Sequence, residues 1–266
     1  GDPGHDIWGM DVARYGDWAS LPYTNAKVRE NYSRRFRIRF PNEELPAGRP
    51  FRTSPIYDRL VADNAVMGEG CGLEHPLWFA PKGMEPKEDV TFRRSNAFDH
   101  VGAECRAVRA GVGITEIANY GKIEVEGPKA AEFLARVMAG RIPPVGKLSL
   151  SPMLNDKGRL IGDFTISRYA EDKFLLICSL AAVDYYLRWF ETHAIDGVSF
   201  RGASMDYPGL SVAGPRAREL MQKLTHRDLS NEGFPFLSFA KLDIGMIPAL
   251  VGRVSFTGEL GYEIWV

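Results

Sequence analysis

The stretch IEVEGPKAAEFLARVM (Ile123–Met138) returns 87 residues later as LSVAGPRARELMQKLT (Leu210–Thr225), with Gly127-Pro128 lying over Gly214-Pro215. Each copy reads as a strand, a Gly-Pro step and a helix. Proline suits the first helical position, where its missing N–H costs nothing. Apolar residues then follow at helical spacing, Phe133, Leu134, Val137 and Met138 in one copy and Leu220, Met221 and Leu224 in the other. A second match extends the first. GRLIGDFTI, from Gly158, lines up with GELGYEIWV, from Gly258, and so assigns Asp163 and Glu263 to one slot of the repeat. The offset there is 100, which predicts about a dozen extra residues between helix and hairpin in the second copy, an insertion a loop absorbs readily. Strand, helix and hairpin together make an α+β unit, with a helix on one face of a mostly antiparallel sheet. The period is too long for a solenoid, so two copies predict a pseudo-twofold pair in which the two carboxylates face a common cleft.

Composition sets the outer limits. A chain of 266 residues is long enough for a sizeable core and more than one domain. Lys+Arg 33 against Asp+Glu 34 leaves a formal charge of −1, so nothing global draws the chain to nucleic acid or to a membrane surface. Cys71, Cys105 and Cys178 stand far apart without metal-ligand spacing and read as reduced thiols of a cytoplasm-like compartment. The apolar run FLLICSLAAV is too short to span a bilayer, and GDPGHDIWGM lacks a signal pattern, so no export is expected. The chain has no initiator Met and ends on the strand-like GYEIWV, so it is expected to be a piece of a longer protein. Glycine fingerprints, P-loops and zinc or hydrolase motifs are absent, no metal set is present, and GEGCG (Gly68–Gly72) is not followed by a helix-forming run.

Residues 1–90, rich in Pro, Gly, Arg and aromatics, show little helical periodicity and read as a connector. Strand, turn and helix signals take over in residues 91–266. Within the connector, RRFRIRF alternates Phe36, Ile38 and Phe40 with Arg35, Arg37 and Arg39, which predicts a half-buried strand with a solvated basic face. His75 reads as a packed residue, since no second His lies at metal-binding spacing.

Asp163 is the residue most in need of a reason, because strands are depleted in Asp. The turn NDKG precedes it, and alternation places it on the face of Ile161 and Thr165. A carboxylate on a partly apolar face tends toward a raised pKa and can accept a proton near neutrality. It can also grip the paired N–H donors of an amidine-like heterocycle. An acid at a sheet edge, or one paired with Arg159, Arg168 or Lys173, is the competing reading.

MLNDKGRLIGDFTI, GLSVAGPRARELMQKL and GRVSFTGELGYEIWV resemble the glycine cleavage system T protein, the folate-dependent aminomethyltransferase. GDPGHDIWGMDVARYGDWA, ENYSRRFRIRFPNEELPAGRPFRTSPIYDRL and GLEHPLWFAP are similar to the segment joining flavin and folate domains in dimethylglycine and sarcosine dehydrogenases. The resemblance covers essentially the whole chain. It implies duplicated ferredoxin-like subdomains of a folate-binding cloverleaf, incomplete here. It also implies an oxidoreductase in which FAD, held in a preceding domain and by no residue of this chain, oxidises an N-methyl amine to an iminium, and tetrahydrofolate takes the one-carbon unit. Asp163 matches the family's catalytic aspartate and Glu263 the glutamate that binds the pterin's amino edge. Phe256 stands where the pattern has Tyr, keeping a ring to stack but no hydroxyl. Ser179 stands where it has Asn, with less reach toward folate. Implied partners are a small-molecule substrate, folate, and an electron-transfer protein or oxygen as acceptor; the implied compartment is the cytoplasm or the mitochondrial matrix. A stand-alone aminomethyltransferase and a non-catalytic folate-binding module are the alternatives; the connector speaks against the first and Asp163 against the second.

Overall fold

The computed structural model describes residues 7–266, so the first six residues of GDPGHDIWGMDVARYGDWA lie outside the described residues. The chain forms two compact units. One is Tyr15–Val108; the other joins Arg109–Val266 to the chain before Tyr15.

The smaller unit holds more regular structure than its composition suggests. Helix α1 (Leu21–Ser33) buries only Tyr23. So narrow an apolar face leaves little periodic signal. The short α2 (Tyr57–Ala62) leads into a hairpin of β1 (Ala65–Gly70) and β2 (Leu73–Phe79), and α3 (Ala97–Ala110) ends the unit. GEGCG is therefore the end of β1 and the hairpin turn, with Cys71 and Gly72 both at positive φ. His75 lies half-buried on β2. The expected strand at RRFRIRF does not form. The Arg35 and Arg37 amides donate back to Tyr32 and Arg34 as turns leaving α1, and residues 38–40 join no ladder. Alternation can define two faces, but a strand also needs a partner for its backbone groups. Phe36 and Ile38 are consequently 91% and 77% exposed.

The larger unit contains two five-stranded antiparallel sheets. The first has the order β5-β6-β7-β4-β8, from β4 (Tyr120–Glu126), β5 (Lys147–Leu154), β6 (Leu160–Ala170), β7 (Lys173–Ser179) and β8 (Ser199–Gly202). Helices α4 (Ala130–Val137) and α5 (Val183–Thr192) cover one face, where Phe133, Leu134, Phe164, Phe174 and Phe190 are buried. Without edge strand β5 the order β4-α4-β6-β7-α5-β8 is that of a ferredoxin-like unit. The second sheet has the order β10-β11-β12-β9-β3, from β3 (Gly113–Glu116), β9 (Gly209–Ala213), β10 (Phe239–Ile244), β11 (Ile247–Gly252) and β12 (Gly261–Trp265). Helix α6 (Ala217–Gln222) packs on its outer face through Ala217 and Met221. The edge position that β8 holds in the first sheet is held in the second by β3, from upstream in the chain.

The repeat of strand, Gly-Pro step and helix is thus present in both sheets. Gly127 and Gly214 have φ of 124° and 125°, and a Cβ on Gly127 would fall 2.4 Å from the Gly197 carbonyl oxygen. Pro128 and Pro215 lie in the turn before the helix rather than at its first position, since the helices begin at Ala130 and Ala217.

The inner faces of the two sheets meet. Leu148, Leu175 and Ile177 from one pack with Phe239, Leu250 and Trp265 from the other. Backbone bonds tie their edges, Phe239 N–H to the Gly146 carbonyl and Leu148 N–H to the Leu237 carbonyl, both 2.9 Å.

Candidate functional site

Asp163 and Glu263 do not share a slot. Ile123 on β4 faces Leu176 on β7, and its repeat partner Leu210 on β9 faces Ile264 on β12. Strand β12 is therefore the counterpart of β7, whereas Asp163 lies on β6, the counterpart of β11. Counting along the ladders, Glu263 opposite Ser211 corresponds to Leu175 opposite Glu124. The GRLIGDFTI and GELGYEIWV match joins non-equivalent strands. Both strands follow a tight turn with alternating apolar residues, and short alternating runs resemble one another wherever they lie in a sheet.

Glu263 occupies the centre of its sheet, between β9 and β11. Tyr262 and Ile264 point to the α6 side, so alternation turns Glu263 and Trp265 to the inner face. The residue is 7% exposed, and among the described residues its carboxyl group accepts no hydrogen bond and joins no ion pair. Burial alone raises its pKa from the ordinary 4.5 to about 7. Tyr120, at the start of β4, lies close enough for the Glu263 charge to help raise its phenol, second to burial. The Tyr120 ring is 6.2 Å from that of Trp265. Two residues on, Lys122 is fully buried. Its ammonium donates to the Ala118 carbonyl at 2.7 Å and the Ser204 carbonyl at 3.2 Å, and lies 5.1 Å from the Trp265 ring centre. Desolvation lowers this amine to about 8, against the opposing pull of Glu116.

Asp163 is placed by β5 and β6. Asn155 organises their turn, its carbonyl accepting the Gly158 amide at 2.8 Å and its side-chain oxygen the Lys157 and Arg159 amides at 3.0 Å each. Met153 pairs with Gly162 but Leu154 with Leu160, so Ile161 is an extra, bulged residue. The bulge breaks the expected alternation: Ile161 packs on the helix-covered side with Phe164 and Ile166, and Asp163 shares only the side of Thr165. Asp163 is exposed and forms no ion pair among the described residues. Arg168 turns instead to Glu171, and Lys173 to Glu126. The Asp163 charge contributes to raising Cys178 and Tyr186, each to about 12 and each chiefly through burial. Cys178 lies opposite Gly121, and Ser179 opposite Tyr120. The paired ends of β4 and β7 therefore connect Asp163 and exposed Ser179 to the neighbourhood of Tyr120 and Glu263. Phe256 stands apart, 88% exposed in the 253–260 connection.

Tyr120, Lys122 and Trp265 were not singled out in the sequence. A lysine between Tyr120 and the buried Ile123 and Val125 was the available signal, but nothing local shows that β4 is buried on both faces. Among the described residues no His, Cys, Asp and Glu group could hold a metal, and no helix is long and apolar enough to cross a membrane. Among the described residues no disulfide forms.

Comparison with known proteins agrees with this architecture. Residues 56–266 match the family model of the GCVT N-terminal domain, and residues 1–54 that of the FAD dependent oxidoreductase central domain. Human mitochondrial dimethylglycine dehydrogenase is 38% identical over the whole chain, which spans 31% of that protein. The 4-methylaminobutanoate oxidase (formaldehyde-forming) of Paenarthrobacter nicotinovorans is 31% identical over the whole chain, which spans 32% of it. The chain thus covers about a third of the length of these relatives. Glycine cleavage system aminomethyltransferase T from Bartonella henselae superposes with a TM-score of 0.64 over 81% of this chain and 53% of its own, at 23% identity, a likeness of fold. With its two helix-covered sheets and a family match over residues 56–266, the chain belongs to the GCVT N-terminal domain family.

Proposed function

We propose that this chain is the folate-side part of a flavin-dependent dehydrogenase of N-methyl amines such as dimethylglycine or sarcosine, and that it passes the one-carbon unit to tetrahydrofolate to give 5,10-methylenetetrahydrofolate. Residues 1–90 would serve as the connector and 91–266 as the folate domain. One observation carries the reading: Glu263 is a buried residue whose carboxyl group has no partner among the described residues, at a position where the sister sheet has Leu175. Such a group is costly unless a ligand satisfies it. A pterin offers an amino edge of adjacent N–H donors, which a carboxylate accepts in pairs. Tyr120 and Trp265 supply flat apolar walls beside it.

Asp163, exposed and unpaired on the side of Thr165, takes the second role. It accepts the proton that a folate nitrogen loses on forming its bond to the methylene carbon. Ser179 adds a short hydroxyl near the same strand ends, and Phe256 an exposed ring on the 253–260 connection. FAD, when bound to the flavin domain, supplies the oxidation that generates the iminium; no residue of this chain is assigned to hold it. The acceptor is an electron-transfer protein or oxygen, and the compartment the mitochondrial matrix or cytoplasm.

The test separates the two carboxylates in the full-length protein. Asp163→Asn is expected to oxidise substrate normally and form little methylenetetrahydrofolate; unchanged folate product would remove the assignment. Glu263→Gln is expected to weaken tetrahydrofolate binding by about 1–3 kcal/mol, the scale of one lost partner in a charged hydrogen bond. Equal affinity would place the pterin elsewhere.

A further inference from the structure

Residues 7–14 lie in the segment matched by the oxidoreductase model, yet they pack in the compact unit that carries both carboxylates. Their contacts fall on α5 and on the 3-10 turn (Leu180–Ala182) that leads into it. The Trp8 indole N–H donates to the Ala181 carbonyl at 3.2 Å, the Trp8 ring lies 5.1 Å from Tyr185, and Arg188 donates to the Asp11 carboxylate at 3.1 Å. Tyr185 and Arg188, three residues apart, lie on one side of α5, while Ala181 offers its backbone carbonyl from the turn before the helix. The Asp11 carboxylate also accepts the Ala13 amide at 2.9 Å, which fixes the turn of the segment itself. The opposite stripe of α5, with Val183, Tyr186 and Phe190, is buried in the core of the first sheet.

Tyr186 carries the connection to β6. Its ring is 4.7 Å from Phe164 and 6.0 Å from Tyr185. A Cβ on Gly162 would fall 2.5 Å from the Tyr186 ring and hydroxyl, so the tyrosine bears directly on the backbone of the residue before Asp163. This contact sits at the Ile161 bulge, where pairing no longer fixes the strand alone.

We propose that the Trp8–Asp11 segment is a brace that positions Asp163, holding α5 so that Tyr186 bears on Gly162 and sets the direction of the carboxylate that follows. Trp8 is then a positioning residue, and a segment of the oxidoreductase match takes part in the folate-side site. The inference rests on the role of Asp163 in the proposed function, but its geometry does not.

The test follows the side-chain carboxyl carbon resonances of Asp163 and Glu263 in the full-length protein, assigned with Asp163→Asn and Glu263→Gln. Trp8→Ala is expected to shift the Asp163 resonance, leave that of Glu263 in place and leave binding of 5-formyltetrahydrofolate unchanged. Trp8→Phe, which keeps a ring against Tyr185, is expected to restore most of the Asp163 shift. An unmoved Asp163 resonance, equal movement of both resonances, or no rescue by Phe would overturn the brace. Tyr185→Ala removes the same contact from the other side, and its effect on the Asp163 resonance decides the matter if Trp8→Ala fails to fold. Failure of the full-length wild-type protein to bind the folate probe would count against the proposed function, while the Asp163 response would still decide the brace.

Discussion

Leu175 and Glu263 occupy corresponding places on the central strands of two sheets built to one plan, each facing the layer where the sheets meet. Leu175 is completely buried among Leu148, Ile177 and Phe239. Glu263 is nearly as buried, with a carboxyl group that has no partner among the described residues. Where one sheet stabilises the interface, the other gives up part of that stabilisation for a polar group awaiting donors. Proteins tolerate such local costs at functional sites when the surrounding structure is stable enough to hold them. The neighbouring Lys122 shows the cost met differently, since two carbonyls and the Trp265 ring satisfy its buried ammonium.

This contrast can be broken from either side. Leu175→Glu would place a second unpartnered carboxyl group in the layer, and a loss of more than about 4 kcal/mol is expected in urea unfolding, the range reserved for buried unpaired charge. A loss near 1 kcal/mol would show the layer to be wet. Lys122→Ala comes next, at about 3–5 kcal/mol, because it removes a buried cation beside Glu116 and strands two carbonyl acceptors.

Glu263→Leu, which installs the sister residue, should show its effect in pH dependence. The Glu263 pKa is about 7 in the folded protein against an ordinary 4.5, so the folded state keeps a proton that the unfolded chain has released. Its contribution is present below pH 4.5, falls as pH rises and is lost above about 7. Glu263→Leu should remove that decline and add up to about 3 kcal/mol at pH 8. A parallel pH profile for the variant and the parent would place the titration elsewhere. The smallest effect is expected on the outer face of the same strand. The buried Tyr262 hydroxyl has no hydrogen-bond partner among the described residues, so Tyr262→Phe should change stability by less than about 1 kcal/mol, with a gain the favoured direction. A clear loss in thermal unfolding would reveal a partner for that hydroxyl.

Much of the fold was legible locally. The Gly-Pro steps, the helices from Ala130 and Ala217, and the turn at Asn155–Gly158 all depend on interactions within a few residues. The same local patterns misled at RRFRIRF, which alternates but has no partner strand, and at Ile161, where a bulge moved one residue to the other face. The site was legible as two acids. Their relation was not, because the match between GRLIGDFTI and GELGYEIWV compares strands from different places in their sheets.

The sequence by itself determined the duplicated strand-and-helix pattern, the α+β class and the two carboxylates, since periodicity and turn chemistry act over short distances along the chain. Only the tertiary structure decided that β3 completes the second sheet, that Glu263 takes the place of a core leucine while Asp163 stays in water, and that Trp8 reaches α5. Each of these depends on ladders and contacts between residues far apart in the chain, and a side chain's burial is set by what packs over it.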